Sequence, residues 1–237
     1  MDLTGRRALI TGASRGIGRA IAESLSAAGA DVALLSRTDA KDAIRACKKK
    51  GQKAFAVSAD VSDTAQLSAA ILDASTRLGG LDVLVCAAGV ATVGPVHRAS
   101  EADWRAMVDI NLTGAMESVR LSLPHLRSSA HGQIILIGST ASRLTFAGGA
   151  AYCATKHGLL GFANALYEET RTVKIKVTTI SPGVVDTDMT RDQWAGFDKS
   201  QMLRASDVAE AAMYVMACSP RACPQEIILR CHHPSMG

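Results

Sequence analysis

Aromatic side chains are scarce in this sequence: two tryptophans, three tyrosines and four phenylalanines among 237 residues. The core must therefore be built from Ala, Val, Ile and Leu, which suits a sheet covered by helices. No aromatics interleave with the basic residues, so nothing argues for stacking on nucleic-acid bases. Charge is sparse and almost balanced, at 20% charged residues and a net charge of +4. The one dense basic run, Lys48-Lys49-Lys50, reads as a solvated helix end in preference to a nucleic-acid patch. No apolar run is long enough to span a bilayer, which excludes a membrane partner of that kind. The segment Met1-Asp2-Leu3-Thr4-Gly5-Arg6-Arg7 has no signal-peptide core behind its charges, so a cytoplasmic location is expected.

Cysteine pairs at C-x-x-C spacing are also missing; the six cysteines stand at 47, 86, 153, 218, 223 and 231. With a chain of this size and no secretory signal, reduced thiols are expected. Cys231-His232-His233 puts three soft ligands in one tail with no partner cluster, which fails the structural-zinc spacings. No metal is expected. Linkers, repeats and low-complexity segments are absent too, so residues 1–237 read as a single domain.

Hydrophobic residues make up 48% of the chain, and apolar runs alternate with helical segments throughout. Strands are expected at Arg7–Thr11, Asp31–Ser36, Lys53–Val57, Leu81–Cys86, Gln133–Ile137, Lys174–Ile180 and Glu226–Leu229. Helices are expected at Ile17–Ala28, from Asp39 to Lys50, from Asp63 (the N-cap) to Leu78, and at Ala150–Thr170. A long helix from Glu101 to Leu126 should bend or end near Pro124, and Ser206 should cap a helix ending near Cys218. Ser181-Pro182-Gly183 should break the sixth strand. Strands without polar alternation are buried on both faces, as in parallel sheets. The expected fold is α/β: a Rossmann-type, doubly wound, mostly parallel seven-stranded sheet with helices on both faces.

Between the first strand and first helix stands Thr11-Gly12-Ala13-Ser14-Arg15-Gly16-Ile17-Gly18. Gly12 allows a tight turn off the strand, Gly16 lets backbone approach a pyrophosphate, and Gly18 lets helix and strand pack closely. The free N–H groups of the helix start, from Ile17, then face the phosphates. At the end of the second strand, where NAD-binding folds put an acid, the sequence has Ser36 and Arg37. With Arg15 in the loop, two guanidiniums without an acid fit a 2′-phosphate. Asp39 is the rival acid, and it reads as a helix N-cap. Tyr152 and Lys156, four residues apart, share one helix face. A nearby ammonium favours a phenolate, which would make Tyr152 a usable acid or base. Ser139 follows the fifth strand, at the sheet edge where ligands bind, and can donate to a substrate oxygen. No Gly-x-Ser-x-Gly elbow surrounds it, which sets a hydrolase aside.

In its Gly-x-x-x-Gly-x-Gly spacing and its Tyr-x-x-x-Lys pair, the chain resembles the short-chain dehydrogenase/reductase family in its compact form, over nearly all its length. The resemblance implies a catalytic tetrad of Asn111, Ser139, Tyr152 and Lys156, with Asn111 holding a water that relays protons to the lysine. It implies that Asp60, followed by Val61, touches the adenine edge; a turn or cap carboxylate is the equal alternative. Cys86-Ala87-Ala88-Gly89 ends the fourth strand, where the family has Asn in place of Cys86 and small residues leave room for a ribose. Pro182, Gly183, backbone near Val185 and the hydroxyl of Thr187 are implied to bind the nicotinamide end, beside Tyr152 and Lys156. Residues 187–204 are implied to form a substrate lid with Met189, Trp194, Phe197 and Met202; Trp194 and Phe197 serve equally as core anchors.

These readings imply NADP(H) as cofactor and reversible reduction of a ketone or aldehyde. An NAD-linked alcohol or hydroxy-acid dehydrogenase and a non-catalytic cofactor-binding scaffold are the alternatives. The ending Glu226-Ile227-Ile228-Leu229-Arg230-Cys231 departs from 3-oxoacyl-carrier-protein reductases and looks more like relatives acting on hydroxy acids or small carbonyl compounds. Surplus apolar residues, Leu159, Leu160, Phe162, Ala163 and Leu166 on one helix and Trp104, Met107, Val108, Met116 and Val119 on another, imply a homo-oligomer. Resemblance points to a tetramer, with a dimer the other form.

Overall fold

The computed structural model describes residues 1–48, 52–193 and 198–232. Lys49, Lys50, Trp194, Phe197 and His233, each given a role above, lie outside the described residues. Seven strands form one sheet: β1 Arg7–Thr11, β2 Asp31–Ser36, β3 Ala54–Ser58, β4 Val83–Cys86, β5 Gln133–Ile137, β6 Lys176–Pro182 and β7 Glu226–Leu229. Their order is β3-β2-β1-β4-β5-β6-β7, and every neighbouring pair is parallel. The two-residue period of a strand sends alternate side chains to opposite faces. Ala8 and Ile10 of β1 join Val32, Leu34, Val85 and Ile135 on one side, against helices α1 (Gly16–Ala27) and α8 (Ala205–Ala217). Leu9 joins Leu35, Leu84, Ile134 and Leu136 on the other, against α3 (Thr64–Leu78), α5 (Gly114–Arg127) and α6 (Ala150–Thr170). The strand order reverses between β1 and β4, which opens a crevice at their carboxyl ends.

Several expected boundaries move, each for a local reason. The helix from Asp39 is only α2, Lys41–Cys47; Asp39 stands before the N-cap residue Ala40 and accepts from the Lys41 N–H at 2.9 Å. Asp63 does cap α3, accepting from the N–H groups of Ala65 and Gln66 at 3.0 Å. The long helix does not bend at Pro124, which lies inside α5. It is interrupted at Asp109–Thr113 by a π turn after α4 (Glu101–Val108), where the Asn111 side chain is drawn onto the backbone of Val90. Ser206 is not the cap of α8. Arg204 is, because the Asp207 carboxylate reaches back to the Arg204 N–H at 2.7 Å. Ser181-Pro182-Gly183 does not cut β6 short. Pro182 is its last residue, paired with Leu229, and the next N–H, that of Gly183, bonds the Leu229 carbonyl at 2.8 Å.

The apolar surplus is divided differently from the expectation. Leu159, Leu160, Ala163 and Leu166 of α6 are buried within the chain. Trp104, Val108 and Met116 remain 39%, 43% and 40% exposed along the α4–α5 helix. Among the described residues, no helix is long and apolar enough to cross a membrane.

Candidate active site

The glycine loop folds as its spacing requires. Gly12 has φ +66°, and a Cβ there would lie 2.7 Å from the Ala88 backbone. A Cβ on Gly18 would lie 2.5 Å from the Gly12 carbonyl oxygen, so helix and strand meet at a distance only glycine permits. No side chain caps the start of α1, which leaves its first N–H groups facing outward. Thr11 reinforces the turn: its Oγ1 accepts from the N–H groups of Ala87 and Ala88 at 3.2 Å. A cleft of about 200 Å³ opens beside this loop. Gly12, Ser14, Arg15, Gly16, Ile17, Gly18, Ser36, Arg37, Asp60, Val61, Ala87, Ala88, Gly89 and Thr187 all line it. It is also lined by Thr38, Val90, Ile110 and Met189, of which only Met189 had been singled out. Thr38 joins the two phosphate-side segments, since its hydroxyl donates to Ser14 Oγ at 3.0 Å.

The end of β2 is more crowded with acids than the sequence order implied. Ser36 is buried and its hydroxyl donates to the Thr38 carbonyl at 2.7 Å. Arg37 pairs with Asp60 at 3.2 Å, and Arg15 pairs with Asp188 at 3.2 Å. Asp39 is held by the Lys41 ammonium at 2.8 Å. Asp60 also accepts from Ser62 N and Oγ at 2.9 and 2.6 Å, the geometry of a turn carboxylate. Burial works to raise the Asp60 pKa, but the Ser62 hydrogen bonds and the Arg37 charge outweigh it and hold the carboxyl below its ordinary range.

At the other end of the crevice the four tetrad residues come together. Ser139 caps the 3-10 turn Thr140–Ser142; its Oγ accepts from the Ala141 N–H at 3.1 Å, and its hydroxyl favours the ionised form of the neighbouring Tyr152 phenol. Lys156 is 6% exposed, and its Nζ donates to the Ile137 carbonyl at 2.8 Å, 5.8 Å from the centre of the Tyr152 ring. Burial pushes the lysine down to about 8. Burial also raises the Tyr152 phenol above its ordinary value, against the Ser139 hydroxyl, which lowers it. In this cofactor-free arrangement Lys156 is turned onto a β5 carbonyl, and desolvation sets the direction for the phenol.

Asn111 is 1% exposed. Its Oδ1 accepts from Val90 N at 2.8 Å, and its Nδ2 donates to Val90 O at 2.8 Å and to Thr155 Oγ1 at 3.3 Å. Thr155 in turn donates to the Tyr152 carbonyl at 2.8 Å. Both N–H donors of the carboxamide are thus engaged by protein, and its visible work is to clamp the segment after β4 to the helix carrying Tyr152. Thr155, inside the Tyr-x-x-x-Lys span, was not singled out from sequence; nothing but its position between the two would have marked it. His157 packs as a structural group, its Nδ1 2.9 Å from the Cys153 carbonyl oxygen.

Pro182, Gly183 and Val185 lie outside the lining of the cleft, as do Tyr152 and Lys156. The Gly183 N–H bonds the Leu229 carbonyl at 2.8 Å, and Val185 is buried and bridged to Leu203. Thr187 Oγ1 is 3.2 Å from Thr190 Oγ1 at the start of α7, Asp188–Gln193. Cys86, in the position of the family asparagine, is buried, and burial pushes its thiol up to about 12, leaving it inert. Among the described residues, no cluster of three metal-ligating side chains occurs.

Comparison with known proteins agrees with this architecture. The short chain dehydrogenase family model matches residues 6–197. The chain is 34% identical over 200 residues to a 3-oxoacyl-acyl-carrier-protein reductase of Escherichia coli strain K12, covering 83% of this chain and 82% of that protein. A short chain dehydrogenase from Burkholderia cenocepacia J2315, solved in complex with NADP, superposes with a TM-score of 0.87 at 31% identity, over 97% of each chain. An alcohol dehydrogenase from the archaeon Thermococcus sibiricus, complexed with 5-hydroxy-NADP, gives a TM-score of 0.89 at 26% identity, over 96% of this chain and 97% of that one. By sequence match, strand order and glycine-loop geometry together, this chain belongs to the short-chain dehydrogenase/reductase family and is an oxidoreductase of that family.

Proposed function

We propose that the protein is an NADPH-dependent reductase of a ketone or aldehyde, reversible as an alcohol dehydrogenase, with Tyr152 as general acid. The observation that carries this reading is the convergence of three groups at the carboxyl edge of the sheet: Ser139 on the turn after β5, Tyr152 on α6, and a buried Lys156 held on the Ile137 carbonyl 5.8 Å from the Tyr152 ring. The residues present fit the cofactor: the Gly12–Gly18 cradle that any Cβ would fill, and the uncapped start of α1, suit a pyrophosphate. Arg15 and Arg37 would hold the 2′-phosphate, and NADP-type complexes among the structural relatives support that choice. Bound NADPH supplies the hydride. The Ser139 hydroxyl, tied to its turn by the Ala141 N–H, donates to the carbonyl oxygen and holds it at the phenol. Tyr152 then gives its proton to that oxygen as negative charge develops there. A phenol kept protonated by burial is loaded for this task. Lys156 has one N–H on Ile137 and keeps two donors for the cofactor ribose.

The substrate class follows the relatives only loosely. A 3-oxoacyl thioester is the second reading, favoured by the identity to the Escherichia coli reductase. The test is turnover with NADPH of a panel: ethyl acetoacetate, acetoacetyl-coenzyme A and benzaldehyde. Turnover of at least one supports the reading; fastest turnover of the thioester selects the second form, and none by folded, NADPH-binding protein contradicts both. Arg15 and Arg37 have 74% and 59% side-chain exposure and share their charge with Asp188 and Asp60. Each phosphate contact is then worth about 1 kcal/mol, and two favour NADPH over NADH by about thirtyfold in kcat/KM. Ser36→Asp with Arg37→Ala supplies an acceptor for ribose hydroxyls and repels the phosphate, so it should reverse that ratio. A wild type preferring NADH would contradict the assignment of NADPH.

A further inference from the structure

We propose that Glu226, on the last strand, is a positioning residue that holds the turn of Ser139 and the strand end leading to Pro182–Gly183 as one unit; this rests on the reading of Ser139 above. The turn that Ser139 begins ends at Arg143, the C-cap of its 3-10 segment. Arg143 Nε donates to Glu226 Oε2 at 2.7 Å, and Nη2 lies 2.6 Å from the same oxygen. The other carboxylate oxygen, Oε1, accepts from Ser181 Oγ at 2.9 Å. One carboxylate thus joins the far end of the catalytic turn to β6, two elements that sequence places 83 and 45 residues from it. No motif marks such a residue.

The clamp is closed around a tight contact. A Cβ on Gly138, the residue before Ser139, would lie 2.9 Å from Ser181 Oγ and 3.2 Å from Ser142 Oγ. Ser181 is 1% exposed, and two residues on, the Gly183 N–H is fixed to Leu229 of the same strand that carries Glu226. The Glu226 side chain is 11% exposed and Arg143 is 56% exposed. A carboxylate that far from water needs its partners, whereas a half-exposed ion pair adds little to global stability. The consequence is geometric. The Ser139 Oγ is tied to the turn by the Ala141 N–H, so the place from which the hydroxyl donates follows the orientation of the turn. Loosening the turn at Arg143 re-aims that donor away from the oxygen it must hold, and a displacement of about 1 Å in such a group lowers a rate about a hundredfold.

The test is a mutant cycle measured with NADPH and ethyl acetoacetate, taking the thioester of the panel if that is the one turned over. Glu226→Gln and Arg143→Met should each lower kcat about 10- to 100-fold, with the KM for NADPH changed less than about threefold. Arg143→Met leaves the Glu226–Ser181 bond in place, and Arg143→Lys should restore most of the rate. In a Ser139→Ala background the same two substitutions should change the residual rate less than about threefold, because residues acting through one group are non-additive. Equal losses in the wild-type and Ser139→Ala backgrounds, or a folded Arg143→Met enzyme with kcat within threefold of wild type, overturn the role of Glu226 alone. A Ser139→Ala enzyme that keeps more than about a tenth of the wild-type rate instead overturns the reading of Ser139 on which it rests.

Discussion

At the residue scale, the Tyr152–Lys156 pair has an environment that its spacing did not convey, and that environment is measurable. Tyr-x-x-x-Lys spacing placed an ammonium beside a phenol, and the structure puts the ammonium on the Ile137 carbonyl in a buried position. Spacing fixes which helix face two residues share; it says nothing of the dielectric around them. Burial holds Lys156 at about 8, below its ordinary 10.5. The sign follows from linkage. Between those two values the unfolded chain binds more protons than the folded one, so the penalty of burying the charge is present in full below about pH 8 and is relieved as pH rises toward 10.5. Cofactor-free wild type should therefore gain about 2 kcal/mol of unfolding free energy relative to Lys156→Met between about pH 7 and about pH 10. Urea unfolding of the two proteins at both pH values measures it; a difference that does not move with pH contradicts the buried placement of the lysine.

At the element scale, the strands were legible and the helix boundaries less so. β1, β2 and β5 fall where the apolar runs end, because a doubly buried strand needs an uninterrupted apolar run; β7, at the sheet edge and only partly buried, also keeps its expected bounds. The π turn at Asp109–Thr113 was not legible, although Asn111 was conspicuous inside a helix. Its cause is tertiary: the carboxamide is a backbone partner for Val90, across 21 residues of sequence. Ser206, by contrast, is displaced as a cap by a local contact, the reach of Asp207 back to the Arg204 N–H three residues earlier. Asn111→Leu removes the partners of both Val90 groups, each costing about 1–3 kcal/mol when left buried and unpaired. The expected loss is about 2–4 kcal/mol in urea unfolding, with a further loss of turnover since the clamp also reaches Thr155. A loss below about 0.5 kcal/mol would show that the π turn does not depend on the carboxamide.

For the whole molecule, the seven-stranded, doubly wound parallel sheet followed from strand–helix alternation, while the strand order and its reversal between β1 and β4 come from the structure. The acid partners of Arg15 and Arg37 were not legible either, since Asp188 and Asp60 are distant in sequence. Apolar surface left on the α4–α5 helix, at Trp104, Val108 and Met116, supports assembly of like chains through that face. Light scattering at micromolar concentration should give a multiple of the 24.8 kDa chain mass, and a monomer mass would contradict it. The central claim is that these parts serve one proton and hydride transfer, with Tyr152 as the acid. Its most direct test is the turnover of Tyr152→Phe with NADPH and the carbonyl compound the wild type reduces, measured beside NADPH binding by fluorescence titration. The account predicts NADPH binding within about threefold of wild type and kcat lower by about a hundredfold or more. An enzyme that binds NADPH normally and keeps more than about a tenth of the wild-type kcat would contradict it.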